Sequence, residues 1–142
     1  MAPRVLVVDD DISVTSILRQ ILEDEGFEVN TAADGHEGYL AYLTHLPDMI
    51  LADIHMPGEN GLELMKHIWR HNPKVGAIYM SGDWITFRSA IEEEEKKLRA
   101  RFLRKPFSLA ELMRVLSECL DSCGKRVPHR VEYRYPFWAS GN

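Results

Sequence analysis

The sequence predicts an α/β protein of the doubly wound class, in which a parallel sheet is covered by helices on both faces. Short apolar runs of strand length alternate five times with stretches of helical apolar periodicity. This alternation is typical of βα units joined by right-handed crossovers. Polar or turn-forming residues follow directly on the apolar runs. At 142 residues the chain has the length of a single domain.

Two βα units account for the N-terminal third of the chain. Val5–Val8 is an apolar run that ends in three aspartates, as expected of a buried parallel strand. A helical stripe follows at i, i+3, i+4, i+7 and i+8: Val14, Ile17, Leu18, Ile21 and Leu22. Asp11 is placed to cap this helix and Gly26 to end it. A second strand and a weaker helix come next, marked by Phe27, Val29 and Thr31 and by Tyr39, Leu40 and Leu43.

The third unit is built around the segment from Pro47 to Leu64. Its apolar run Met49–Ala52 ends on a carboxylate, Asp53, and turn-forming residues follow at once. The helix after them carries an apolar stripe on Leu62, Met65, Ile68 and Trp69. In open parallel α/β sheets, ligands bind at the carboxyl ends of the strands. Asp53 is at such an end.

The fourth and fifth strands complete the predicted sheet. Val75–Met80 is the fourth strand, and Phe102–Leu103 is a short fifth strand that ends at Lys105. The helix between them, Trp84–Leu98, has a poor apolar stripe. Its acidic run, Glu92–Glu95, precedes lysines and an arginine, which suits a solvated helix face.

The last predicted helix begins at a capping box formed by Ser108 and Glu111. Its apolar stripe consists of Leu109, Leu112, Met113, Leu116 and Leu120. The two cysteines, Cys119 and Cys123, are one helical turn apart. We expect them to be free thiols, since this spacing suits neither a disulfide framework nor half of a zinc site.

Composition and charge limit the functional classes. No apolar stretch approaches the ~18–20 residues that span a bilayer, and no signal peptide precedes the first strand, so we expect a cytoplasmic protein with no membrane partner. The net charge is −5. The segment 124–142 holds four basic residues and one acid, a balance of +3, which leaves −8 on the rest. An acidic body argues against a nucleic-acid surface.

We therefore divide the chain into a domain over residues 1–123 and a basic, aromatic tail over residues 124–142. The tail places Tyr133, Tyr135 and Phe137 at period two, with Trp138 adjacent to them. Three interpretations stay open: a linker toward a further domain, an arm that packs on the body or on a second copy, or a disordered segment.

Five polar residues lie at the ends of the predicted strands: Asp9, Asp10, Asp53, Ser81 and Lys105. Because parallel strands end at the same edge of a sheet, we expect these side chains to converge. Crowded carboxylates repel, and a hard divalent cation such as Mg²⁺, which prefers oxygen ligands, removes that cost. The carboxylates and the cation, together with the Ser81 hydroxyl and the Lys105 ammonium, make a site for a phosphoryl group. Asp53 would be the nucleophile and would form an aspartyl phosphate.

Four sequence blocks, in this order, carry a family resemblance: VLVVDDD, PDMILADIHMPGENGLEL, IYMSGD and FLRKPF. Together they resemble the receiver domain of two-component response regulators, over residues 4 to about 122. The resemblance implies a flavodoxin-like fold with a five-stranded parallel sheet of order 2-1-3-4-5. It also implies phosphorylation by a histidine kinase or phosphotransfer protein, and phosphorylation-dependent binding of an output protein or of a second copy of the chain.

The same resemblance assigns the acidic residues. Asp53 takes the position of the phosphoacceptor. Asp10 and Asp53 are implied to bind Mg²⁺ directly, Asp9 to act largely through water, and His55 to contribute its backbone carbonyl.

A second group of residues takes the positions that sense the phosphate in this family. Ser81 supplies the hydroxyl and Lys105 the ammonium. Phe102 takes the place of the switch aromatic, and it lacks the hydroxyl of a tyrosine. Gly82 departs from the family pattern, which often has alanine there.

Other functions fit the residues less well. A phosphatase of the haloacid dehalogenase type also uses a strand-end aspartate, a serine or threonine and a lysine, but it needs a second acid two residues after the nucleophile, where this chain has His55. A small nucleotide binder would need a glycine-rich phosphate loop after the first strand. The remaining alternative is a degenerate receiver that binds proteins without phosphorylation.

Overall fold

The computed structural model describes residues 2–83, 85–86, 88–97 and 100–124. Five strands alternate with five helices along this part of the chain. In chain order the elements are β1 (Arg4–Val8), α1 (Ile12–Asp24), β2 (Glu28–Ala32), α2 (Gly35–His45), β3 (Met49–Asp53), α3 (Gly61–His71), β4 (Gly76–Ser81), α4 (Arg88–Lys97), β5 (Ala100–Arg104) and α5 (Leu109–Ser122).

The strands form one parallel sheet in the order β2-β1-β3-β4-β5, which confirms the predicted fold class and strand order. The register brings the strand ends together: Val8 pairs with Ala52 of β3, and Asp53 pairs with Met80 of β4. Ser81 pairs with Arg104 of β5. The residues that follow β1, β3, β4 and β5 therefore lie along one edge of the sheet.

Two hydrophobic cores lie on opposite faces of this sheet. Alternate residues of β1 divide between them, because successive side chains of a strand point to opposite faces: Val5 and Val7 contribute to one core, Leu6 and Val8 to the other. The first core includes buried residues of α1 and α5, and the second includes buried residues of α2, α3 and α4. Both faces of the sheet are therefore covered, as expected of parallel strands.

Capping residues set the helix termini. The Asp11 carboxylate accepts a hydrogen bond from the Ser13 amide, and the predicted box of Ser108 and Glu111 is present at α5. A second capping box, which was not predicted, is formed by Asn60 and Glu63 at the start of α3. This box matters for the site, because it fixes where α3 begins after the loop that follows Asp53.

The buried face of α2 differs from the predicted one. Leu40 and Leu43 are 50% and 43% exposed, whereas Gly38 and Tyr42 face the core. A Cβ atom on Gly38 would lie 3.0 Å from Leu64 of α3 and 3.3 Å from Val8. The helix therefore approaches its neighbours through a glycine, a contact that a search for apolar residues does not detect.

The region around α4 and α5 also differs from the prediction in detail. The helix α4 begins at Arg88, which pairs with Glu92 at 3.1 Å. Glu94 is buried, although its acidic run was predicted to be solvated. Leu109 is 41% exposed because it lies at the first turn of α5, outside the buried stripe. Trp84, Leu98 and the tail from residue 125 onward lie outside the described residues.

Within the described part of the chain, none of the helices combines the length and the apolar character that a bilayer crossing requires. Cys119 and Cys123 are free thiols in the structure, as predicted. Cys119 is buried under the sheet, and a Cβ atom on Gly76 of β4 would lie 2.5 Å from its sulfur. The cysteines therefore fill a packing position against β4.

Candidate functional site

An acidic pocket lies at the carboxyl edge of the sheet. Asp9 and Asp10 follow β1 directly, and Asp53 is the last residue of β3. Ligand oxygens of these three carboxylates all lie within 4.8 Å of one another. Asp9 and Asp53 are only 1% and 7% exposed, whereas Asp10 is exposed to solvent. The pocket therefore has two buried carboxylates at its base and one at its mouth.

Lys105 joins the two buried carboxylates. Its Nζ donates hydrogen bonds to Oδ2 of Asp9 and to Oδ2 of Asp53, both at 2.9 Å. The lysine is the first residue after β5 and precedes a cis proline, Pro106. Asp9 uses its other oxygen as well, since Oδ1 accepts from the Asp11 amide at 2.9 Å. Both oxygens of Asp9 thus have donors from the protein, and its side chain is fixed.

Ser81 lies at the same edge, one residue beyond the Asp53–Met80 pair, and is fully buried. Its Oγ accepts a hydrogen bond from the Asp83 amide at 3.1 Å. Its carbonyl oxygen accepts from the Lys105 amide at 2.8 Å. This last bond ties the end of β4 to the residue that carries the ammonium.

His55 and Phe102 occupy the surroundings of the pocket. The His55 amide donates to Oδ1 of Asp53 at 2.9 Å, while its side chain is exposed. Phe102 lies in β5 and is half-buried, and its ring centre is 5.4 Å from that of Tyr79. The aromatic pair lies next to Ser81 along β4, because Tyr79 precedes Ser81 by two residues and shares its face of the strand.

Burial controls the electrostatics of the pocket. Desolvation raises the pKa of Asp53 above its ordinary value, despite opposing contributions from Lys105 and the His55 amide. Burial also acts to lower the pKa of Lys105, but hydrogen bonds and charge from Asp9 and Asp53 outweigh it, so the lysine pKa is raised. The Lys105 ammonium is shared between two carboxylates and therefore stays protonated. It balances only part of the negative charge of Asp53.

The donor set suits a hard divalent cation. All three clustered side chains offer carboxylate oxygens, the ligand type that Mg²⁺ prefers. Asp10 offers one carboxylate at the solvent side of the cluster. Asp53 offers a second carboxylate, whose negative charge Lys105 does not fully balance. A cation at this position would be attracted by the negative charge that Lys105 leaves uncompensated.

Gly61 is a residue of the site that the sequence analysis missed. It is the first residue of α3, and a Cβ atom built on it would lie 2.6 Å from the carbonyl oxygen of Asp53. Ordinary Cβ contacts are longer than this, so a larger residue would have to displace the backbone of Asp53. A glycine directly after a helix-capping asparagine was the signal available in the sequence.

We expect Gly61→Ala to lower the free energy of unfolding by about 1–3 kcal/mol, the range found for overpacked buried sites, and to disturb the carboxylate of Asp53. Gly82→Ala is the matched control, since a Cβ there meets only the Lys105 Cβ, at 3.9 Å. That variant should change stability by less than about 1 kcal/mol. Urea denaturation of the three proteins measures both effects, and equal stabilities for the two variants would contradict the contact assigned to Gly61.

Comparison with known proteins identifies the family to which this geometry belongs. The family model described as response regulator receiver domain matches residues 5–117. The phosphate regulon transcriptional regulatory protein PhoB of Rhizobium meliloti is 34% identical over 119 residues, which cover 80% of this chain and 50% of that protein. The chain thus spans about half the length of the curated relatives that it matches first.

Solved structures agree with this assignment. The CheY-like receiver domain protein of Methanospirillum hungatei superposes with a TM-score of 0.78 at 28% identity, covering 87% of this chain and 98% of that one. The response regulator TrrA of Thermotoga maritima, in complex with Mg²⁺ and BeF, gives a TM-score of 0.72 at 28% identity, covering 83% and 99%. The chain therefore belongs to the response regulator receiver domain family, the phosphoacceptor modules of two-component signalling.

Proposed function

We propose that Asp53 accepts a phosphoryl group from a histidine kinase or phosphotransfer protein, and that the modified site changes what the domain binds. The observation that carries this proposal is the buried Asp53 carboxylate, held 2.9 Å from the Lys105 ammonium within a cluster of three carboxylates. Burial raises the pKa of Asp53, so its ionised form is poorly stabilised by the protein alone. In its ionised form this carboxylate can act as the nucleophile toward phosphorus.

In the transfer step, an Oδ atom of Asp53 attacks phosphorus and the P–N bond to the donor histidine breaks. The bonding pair leaves with the imidazole nitrogen, and the ring departs neutral because its other nitrogen carries a proton and keeps it. Lys105 is within reach of the oxygens of the transferred group, since its Nζ already contacts Oδ2 of Asp53. We class the chain as a phosphoacceptor that assists its own modification, rather than as an enzyme with a separate substrate.

The residues present fit a resident Mg²⁺. We assign Asp10 and Asp53 as direct ligands, Asp9 as a ligand through water, and the backbone carbonyl of His55 as a further oxygen donor. The fixed position of Asp9, whose two oxygens accept from Lys105 and Asp11, supports an indirect role for it. When bound, the ion supplies positive charge against the oxygens of the phosphoryl group.

Partners follow from the same proposal. We infer that a kinase or phosphotransfer protein donates the phosphoryl group, and that an output protein or a second copy of this chain reads the result. PhoB, which is named as a transcriptional regulatory protein, is about twice as long as the segment that matches this chain. Because residues 1–124 carry a net charge of −8, we propose that this chain does not itself bind DNA. The end of α5 at Ser122 supports a domain boundary at residues 123–124.

The proposal is tested by incubating the full chain with acetyl phosphate, with and without Mg²⁺, and measuring the intact mass. We expect a gain of one phosphoryl group that depends on Mg²⁺ and is lost on mild base treatment, as an acyl phosphate would be. A chain that gains no phosphate from acetyl phosphate or from a kinase would instead act as a degenerate receiver, which binds proteins without modification.

Removal of the proposed direct ligand is expected to weaken metal binding. Asp10→Ala should lower Mg²⁺ affinity by at least about tenfold, because even indirect contacts to a metal are often worth that much. Asp11→Asn is the matched control: it removes the charge of the next aspartate along the chain and keeps a good helix cap. Isothermal titration with MgCl₂ measures both variants. Equal loss in the two would mean that net charge, rather than coordination by Asp10, sets the affinity.

A further inference from the structure

Two histidines lie one helical turn apart on α3, beside aromatic residues of α2. His67 and His71 are both exposed, and residues four apart on a helix are neighbours on its surface, with Cβ atoms about 5–6 Å apart. The imidazole of His67 meets the ring of Tyr39 edge-on, with ring centres 6.3 Å apart. The imidazole of His71 meets the ring of Tyr42 in the same way, at 5.5 Å. The two imidazoles therefore lie along one seam between α2 and α3.

The Nδ1 atom of each imidazole contacts a polar group of the protein. Nδ1 of His71 shares a hydrogen bond of 2.7 Å with the hydroxyl of Tyr42, a residue that is only 1% exposed. Nδ1 of His67 lies 3.0 Å from Oε1 of Glu59. That carboxylate oxygen is buried and accepts no hydrogen bond from any other described residue. Both rings are held through Nδ1, so Nε2 is the nitrogen that each can offer to a ligand.

We propose that Nε2 of His67 and Nε2 of His71 bind one divalent transition-metal ion of the Zn²⁺ class. Two histidines at i and i+4 on one face of a helix are a recurrent pair of zinc ligands. Imidazole suits Zn²⁺, Cu²⁺ and Ni²⁺, whereas Mg²⁺ prefers the carboxylate oxygens of the acidic pocket. This inference goes beyond the phosphoacceptor function and does not depend on it, because neither histidine belongs to the carboxylate cluster.

The contacts at Nδ1 favour metal binding at Nε2. A histidine that binds a metal almost always directs its other ring N–H toward an oxygen atom, which fixes the tautomer and the orientation of the ring. The negative charge of Glu59 favours a proton on Nδ1 of His67, so the lone pair of the neutral ring is on Nε2. The hydroxyl oxygen of Tyr42 can accept a hydrogen bond as well as donate one. Nδ1 of His71 can therefore carry its proton too.

The charges around the pair allow a cation to bind. In the described part of the chain, Glu59 pairs with neither a lysine nor an arginine, so a metal ion on His67 would supply positive charge beside its buried oxygen. Glu63 lies one turn before His67 on the same row of α3, while Lys66 and Arg70 lie on the adjacent row. Apart from the three pocket aspartates, no three metal-binding side chains in the described ranges lie close enough to share an ion. Water would therefore complete the coordination, and the metal should exchange freely.

The proposal is tested by titrating the full chain with ZnCl₂ in the presence of MgCl₂ and recording the histidine ring resonances by NMR. We expect the rings of His67 and His71 to respond together, with one binding constant, at lower Zn²⁺ concentrations than His36. His67→Gln and His71→Gln should each lower the Zn²⁺ affinity at least about tenfold, because loss of an indirect contact alone often costs that much. His36→Gln, at an exposed histidine in the first turn of α2, is the matched control and should leave the affinity unchanged.

Two further variants make the outcome decisive. Tyr42→Phe keeps both ligands but removes the hydroxyl that holds His71, so the Zn²⁺ affinity should fall about tenfold. Asp53→Asn alters the acidic pocket and should leave the response of the two rings intact, whether or not Asp53 is the phosphoacceptor. Unchanged affinity in Tyr42→Phe would refute the positioning role of its hydroxyl. Separate binding constants for the two rings, equal loss in the His36→Gln control, or loss of the response in Asp53→Asn would each overturn the site itself.

Discussion

Replacing Asp53 with asparagine is expected to abolish phosphorylation by acetyl phosphate. The amide has nearly the same shape as the carboxylate, but it carries no negative charge and its nitrogen lone pair is delocalised into the carbonyl group, so it is a poor nucleophile. The fold should persist, because the side chain lies at the end of β3 and its removal from the charge cluster relieves a buried carboxylate. Intact-mass measurement after incubation with acetyl phosphate and Mg²⁺ should show no added phosphoryl group.

The same variant is expected to unfold at a higher denaturant concentration than the wild type at neutral pH. Burial raises the pKa of Asp53, which means that the folded protein disfavours the ionised form relative to the unfolded chain. This destabilisation is absent below the ordinary pKa of an aspartate, develops as the pH rises from that value to the raised pKa of the folded state, and is complete above it. The advantage of the asparagine variant should therefore grow as the pH rises across that window.

Asp83→Asn controls for loss of one charge beside the pocket. Asp83 is exposed, and its Oδ1 accepts from the Thr86 amide, a bond that asparagine can keep. We expect phosphorylation of this variant to proceed as in the wild type. If Asp53→Asn gained one phosphoryl group at the wild-type rate, the acceptor would be a different residue, and the role assigned to the buried cluster would be wrong.

The fold was predictable because hydrophobic periodicity and strand-end polarity agree along the whole domain. The strand order was implied by the family resemblance, and the parallel alignment of the strands places Asp9, Asp53 and Lys105 at one edge of the sheet. Helix packing was less predictable. Gly38, rather than Leu40 or Leu43, lies on the buried face of α2. Because glycine has no side chain, α2 can pack close to α3 at this position.

The site was predictable in its residue types and less so in its internal geometry. Nothing in the run of three aspartates indicates that Asp9 is buried while Asp10 is exposed, since that difference depends on how β1 enters the sheet. The double contact of Lys105 with Asp9 and Asp53 depends on residues 96 and 52 positions apart in the chain. The requirement for glycine at position 61 was not predicted for the same reason. It arises because the carbonyl oxygen of Asp53, across a loop, leaves no room for a side chain.

Ser81→Ala is expected to separate phosphorylation from its consequence. Ser81 is fully buried at the end of β4, and its hydroxyl accepts from the Asp83 amide. A phosphoryl group on Asp53 adds about −1.5 to −2 charges and strong acceptor oxygens nearby. The hydroxyl can then donate to that group, and a hydrogen bond to a charged acceptor contributes roughly 1.5–3 kcal/mol. The alanine variant should still accept phosphate on Asp53, since the nucleophile and Lys105 are unchanged.

The conformational change that follows phosphorylation should be much smaller in Ser81→Ala than in the wild type. Phosphorylation is expected to shift the equilibrium between a resting and an activated conformation of the domain. Loss of a bond of this strength reduces that shift about 10- to 150-fold. The aromatic pair beside Ser81, Phe102 with Tyr79, offers the readout, because movement of Ser81 toward the phosphoryl group would open space for the Phe102 ring. Ring resonances of Phe102, recorded before and after addition of acetyl phosphate and Mg²⁺, measure this shift directly.

Ser81→Thr is the matched variant, because it keeps the hydroxyl and tests whether a change of residue alone disrupts the response. We expect it to retain most of the Phe102 displacement, with some loss of stability from the added methyl group at a fully buried position. Full displacement in Ser81→Ala, at equal phosphorylation of Asp53, would show that the hydroxyl does not couple the two events. Lys105 would then have to carry the signal, through the bond from its backbone amide to the carbonyl of Ser81, a bond that survives in every Ser81 variant.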